Sequence, residues 1–134
     1  MRVIPSQFEQ RVAYLVGFQS PEHGTFPNMA DELRSIKASL LNWGFKQNEI
    51  KMSESEAELP DLSNEYQSIA ESATEGKKTL VVFFYKGHGT LKVASIHGNS
   101  ELGDSKNLEG FVRKLAALPS IYVLSAFDCC RISP

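Results

Sequence analysis

The chain has 134 residues, 42% hydrophobic and 22% charged, the ordinary balance of a globular domain and long enough to bury roughly two thirds of its unfolded surface. Lys and Arg total 14 against 16 Asp and Glu, a formal net charge of -2, which excludes the clustered basic excess of a nucleic-acid-binding surface. The longest apolar stretches, such as Thr79 to Tyr85, are far shorter than a bilayer span, and Met1-Arg2-Val3-Ile4-Pro5 has no apolar leader core; no membrane partner and no nucleic-acid partner are expected.

In chain order, Val12 to Phe18 is a short apolar run followed by polar turn formers from Gln19 to Gly24, a buried strand and then a loop. Met29, Leu33, Ile36 and Leu40 recur at helical spacing behind Asn28, with Asp31 and Glu32 in the first turn and Gly44 beyond the last, which predicts an amphipathic helix with Asn28 as its cap. Glu49 to Met52 reads as a short strand, and the acidic Ser53 to Pro60 as a solvated loop. Leu62, Tyr66, Ile69 and Ala73 form a second helical stripe between Pro60-Asp61 and Gly76.

Thr79 to Tyr85 is β-branched, aromatic and apolar on both faces, as a central parallel strand requires. Lys86-Gly87-His88-Gly89-Thr90 reads as the turn that ends it, and Lys92 to His97 as a small strand or hairpin arm. Leu108, Phe111, Val112 and Leu115 mark a third helix stopped by Pro119, and Ile121 to Phe127 is the last buried strand. The alternation predicts an α/β fold with an open, mostly parallel sheet and right-handed crossovers, built as one domain over residues 1–134.

Functional groups in such a sheet collect beyond the carboxyl ends of the strands. Two ends carry reactive residues: His88 after the third strand and Cys130 after the fourth. If these strands are neighbours, imidazole and thiol share a rim, and a thiol with an ordinary pKa near ~8.5 needs such a base to act as a nucleophile at neutral pH. The Gly89 and Cys130 N–H groups are then candidate donors to an oxyanion. Gly87 and Gly89 leave room for a substrate backbone. Cys129 and Cys130 are adjacent, too close for normal disulfide geometry, so a reducing, cytoplasmic setting is expected. Cys129 reads as a small buried residue, and His23 and His97 as solvated. Zinc, EF-hand and dinucleotide-binding signatures are not found.

Together these residues resemble the caspase-like cysteine peptidases, that is caspases, metacaspases and paracaspases, over about Arg11 to Arg131. Phe83-Phe84-Tyr85-Lys86-Gly87-His88-Gly89 is similar to the family's aromatic strand and His-Gly turn, and Phe127-Asp128-Cys129-Cys130-Arg131 to its Asp-x-Cys motif. The separation, 130 − 88 = 42 residues, is compatible with the roughly 50 of caspases. Ala13-Tyr14-Leu15-Val16-Gly17 and Gly44-Phe45 are smaller echoes.

The resemblance implies the large-subunit half of the caspase-like fold and a thiol protease with a His88–Cys130 dyad. It puts the nucleophile two residues after Asp128, hence Cys130 rather than Cys129. Asp128 would line the pocket that reads Arg or Lys before the scissile bond in a peptide or protein substrate. No cofactor is implied, although many metacaspases respond to calcium, and programmed cell death is an association of the family. The chain departs from the pattern at Phe18-Gln19-Ser20, where metacaspases and paracaspases add a second acid, and at Ile132, where a glycine is usual. The small-subunit strands have no counterpart, so a small-subunit-like chain or a second copy is an expected partner. A regulatory caspase-fold module that cuts nothing is the alternative expectation.

Overall fold

The computed structural model describes residues 3–18, 28–55, 58–90 and 108–132, the strand ends 88–90 and 129–132 by backbone alone. Strands and helices alternate along them: β1 (Gln10–Gly17), α1 (Met29–Trp43), β2 (Ile50–Ser53), α2 (Leu62–Thr74), β3 (Thr79–Thr90), α3 (Leu108–Ala116) and β4 (Ile121–Ile132). The four strands form one parallel sheet in the order β2-β1-β3-β4. This is an open α/β fold. None of the described helices is long and apolar enough to cross a membrane.

The alternation of side chains along each strand divides the core in two. On one face α1 lays Met29, Leu33 and Leu40 over Ala13, Leu15 and Leu80. On the other, Leu62 and Ile69 of α2 and Leu108, Phe111 and Leu115 of α3 close over Tyr14, Val16, Val81, Phe83 and Tyr85. Rings dominate the second face: Phe111 meets Tyr14 edge-on at 5.5 Å and Phe83 stacks on Phe127 at 5.6 Å. The Tyr14 hydroxyl donates to Glu65 Oε1 at 2.6 Å. Burial, and then the hydrogen bond and charge of Glu65, hold this phenol protonated well above the usual tyrosine range.

From β1 the chain crosses by α1 to β2 on one side, then returns by α2 to β3 on the other, so direction reverses between β1 and β3. Helices on opposite faces are what right-handed crossovers produce when the winding reverses. Gly17, at the end of β1, lets α1 approach: a Cβ there would lie 2.7 Å from Met29 Sδ and 2.9 Å from Leu33 Cδ1.

The helix ends follow their sequence signals unequally. The Asp61 carboxylate caps α2 by accepting from the amides of Ser63 at 2.9 Å and Asn64 at 3.2 Å. Asn28, expected to do the same for α1, makes no side-chain cap. Gly44 and Gly76 end α1 and α2 with φ of 134° and 82°, the left-handed region that favours glycine. Ser120 takes the same region, at 66°, as the chain turns into β4, while its carbonyl accepts from the Thr79 amide at 2.9 Å.

The largest departure from expectation lies at the ends of β3 and β4. Both strands run on past their expected ends at Tyr85 and Phe127, β3 to Thr90 and β4 to Ile132. Each extends because the other does: the pairing continues from Lys86↔Asp128 to Thr90↔Ile132, so the backbone groups find ladder partners instead of turning. The expected hairpin arm at Lys92 to His97 lies outside the described residues.

Candidate functional site

The carboxyl ends of β1, β3 and β4 form the rim where the winding reverses, the position at which open α/β sheets bind ligands. β1 stops first. Its last pair with β3 is Gly17↔Lys86, and the Phe18 amide then donates to the Lys86 carbonyl at 3.1 Å. β3 and β4 project beyond this point as a two-stranded ledge.

On the ledge His88 of β3 and Cys130 of β4 are register partners, directly opposite each other on adjacent strands. Gly87 pairs with Cys129 and Gly89 with Arg131. Of the residues expected to carry chemistry, the fold therefore brings His88, Gly89, Cys130 and Asp128 to one end of one strand pair. Gly87 is also closely packed within the chain. A Cβ there would meet the Tyr85 hydroxyl at 2.5 Å and the Phe18 carbonyl oxygen at 2.8 Å, so glycine admits the buried tyrosine and the end of β1.

Asp128 stands at the edge of this group with its side chain 62% exposed. Its register partner Lys86 reaches across to it, Nζ 3.7 Å from Oδ2, and donates a short hydrogen bond of 2.6 Å to Glu32 Oε2 in the first turn of α1. The hydrogen bond from Lys86 to Glu32 raises the lysine pKa against a lowering by desolvation, and the charges of Glu32 and Asp128 add to the rise. One ammonium thus sits between carboxylates from two elements.

Sequence reading misses Lys86 and Glu32. Lys86 was signalled only by standing two residues before His88, the spacing that repeats a position along a strand. Glu32 looks like an ordinary acid in a helix's first turn. That the two meet depends on α1 packing over the end of β3. Among the described residues no group of three His, Cys, Asp or Glu is arranged to hold a metal ion.

At the opposite, amino end of the sheet a hollow of about 530 Å³ is lined by Gln7, Phe8, Lys78, Ser120, Ile121 and Tyr122. Tyr122 of this lining and Leu124, two residues further along β4, are exposed.

The geometry defines an open, reversing α/β domain with a rim of polar and nucleophilic residue types. No protein-family model matches the chain, and no curated protein matches it.

Proposed function

We propose that the protein is a caspase-like cysteine endopeptidase domain that cleaves after Arg or Lys. The observation that carries this reading is the register of β3 and β4, in which His88 and Cys130 are direct partners at the carboxyl end of the sheet. In the proposed reaction His88 takes the Cys130 thiol proton as the sulfur attacks the scissile carbonyl carbon. The Gly89 and Cys130 N–H groups are the donors this reading gives the oxyanion, and they must leave the β3–β4 ladder to reach it; such donors are worth several kcal/mol in comparable sites. The C–N bond breaks as His88 returns the proton to the leaving amine. Water, deprotonated by His88, then hydrolyses the thioester and restores the thiol. Asp128, exposed on the same strand two residues earlier, pairs with the basic side chain of the substrate.

The test is mass spectrometry after incubation with peptidyl ketone inactivators carrying Arg, Lys or Asp at the recognition position. The reading expects an adduct on Cys130 with the Arg and Lys reagents, and Cys130→Ala should lower turnover by at least ~10³-fold. Adduct on Cys129 instead, or full activity in Cys130→Ala, overturns the assignment.

A second reading, a partner-dependent or regulatory module of the same fold, is favoured by one observation. Among the described residues β4 is the outer strand of the sheet, and its Tyr122 and Leu124 are 43% and 37% exposed. Such edges pair with added strands. It predicts concentration-dependent association in sedimentation velocity, and no ketone adduct in the monomer.

A further inference from the structure

Lys86 is an unusual residue to find beside a carboxylate assigned to recognise cations. Its ammonium already satisfies the chemistry that Asp128 would offer a substrate. The two contacts differ in kind. The Glu32 contact, at 2.6 Å with the Glu32 side chain 35% exposed, is a short charge-assisted hydrogen bond. The Asp128 contact, at 3.7 Å with Asp128 62% exposed, is a looser ion pair at the surface, of the kind that exchanges readily. Lys86 itself is 21% exposed. An ammonium held firmly by one carboxylate and loosely by a second can be pulled away from the second without leaving the first.

We propose, resting on the peptidase reading, that Lys86 is an autoinhibitory cation: it occupies the Asp128 carboxylate in the resting chain, and a basic substrate side chain must displace it to bind. Glu32 is the anchor that keeps the displaced lysine on α1. A tethered competitor acts at high effective concentration, commonly millimolar for short flexible tethers, and so weakens an incoming cation without any contact to it. The consequence is selectivity for substrates whose other contacts are strong enough to complete the exchange.

Binding separates this inference from catalysis. In the Cys130→Ala chain, calorimetry would measure the affinity of an acetylated tetrapeptide amide ending in arginine, and of its norleucine counterpart. Lys86→Met, which keeps the apolar stem and removes the charge, should tighten the arginine peptide about tenfold and leave the norleucine peptide unchanged. Lys86→Ala should do the same, and Lys86→Arg should restore the weak affinity. Adding Asp128→Asn to Lys86→Met should abolish the gain. An unchanged arginine affinity in both Lys86→Met and Lys86→Ala, or an equal gain for norleucine, overturns the proposal. So does a fall in urea stability unaccompanied by any change in affinity, the signature of a lysine that only ties α1 to the sheet. If the ketone reagents fail to label Cys130 while the arginine-specific gain persists, the peptidase reading falls and the displaceable lysine stands.

Discussion

β1 and β4 flank the same strand, β3, in the same direction, and both are apolar in sequence, yet they end in different environments. β1 has strands on both sides and helices on both faces, and Ala13, Tyr14, Leu15 and Val16 are at most 1% exposed. Among the described residues β4 has a strand on one side only. Ile121, Val123 and Phe127 pack partly against the α2 and α3 core, while Tyr122 and Leu124 stay exposed. An apolar run therefore states that a strand belongs in the sheet and not where. The candidate groups lie on the stretch where β3 and β4 pair beyond the end of β1.

The strongest way to break this contrast is to truncate one leucine on each strand. Leu15→Ala should cost about 2–5 kcal/mol, since a fully buried leucine leaves a cavity between β1 and α1. Leu124→Ala should cost less than about 1 kcal/mol, because much of its side chain already meets water. Urea midpoints compare the two directly, and equal losses would mean that β4 is covered as thoroughly as β1.

Next in size is Gly87→Ala. The added methyl meets the Tyr85 hydroxyl and the backbone of Phe18, so a loss of about 1–3 kcal/mol is expected in the same measurement. A neutral result would show that the junction between the buried half of β3 and its ledge is loosely packed.

The start of β1 is tied to the start of β2 by Arg11, whose Nε donates to Glu49 Oε1 at 3.1 Å. Burial pushes the Glu49 carboxyl up, but the Arg11 hydrogen bond, the Lys46 amide and both positive charges outweigh it and hold the pKa below the usual value. A depressed folded-state pKa contributes stability that is present above the ordinary glutamate range and is lost as pH falls through the folded value. Glu49→Gln should therefore lower stability by about 1–2 kcal/mol at neutral pH, from the lost charged hydrogen bonds. The gap to the parent chain should close as pH falls below about 4. A gap independent of pH would deny the ion pair its role.

The smallest effect is expected where β4 begins. Ser120 holds a left-handed backbone that costs a non-glycine residue about 1 kcal/mol, so Ser120→Gly should raise stability by up to that amount in thermal or urea unfolding. A loss would mean that the added freedom of the unfolded chain outweighs the relieved strain.

Much of the fold was legible because the signals are local. The stripe from Met29 to Leu40 and that from Leu62 to Ala73 became α1 and α2, and the apolar run from Thr79 became the central β3. Asp61, which stands just before the second stripe, caps α2. Asn28 makes no such cap for α1, since a helix start needs only a compatible backbone and not every capable side chain engages. The ends of β3 and β4 were misread for a physical reason. Lys86-Gly87-His88-Gly89-Thr90 has the residue types of a turn, and only a neighbouring strand of equal length makes extension the better outcome.

The amino-acid order by itself determined the alternation of strands and helices, the parallel character of the sheet and the two reactive residue types toward the carboxyl ends of its last two strands, because periodicity and cap chemistry act over a few residues. Tertiary structure alone decided that β3 and β4 are neighbours in the register His88↔Cys130, that β4 is an edge among the described residues, and that Glu32, Lys86 and Asp128 converge. Strand order and register depend on which faces find helices to cover them. Those contacts join positions as far apart as residues 32 and 86, and no local pattern encodes them.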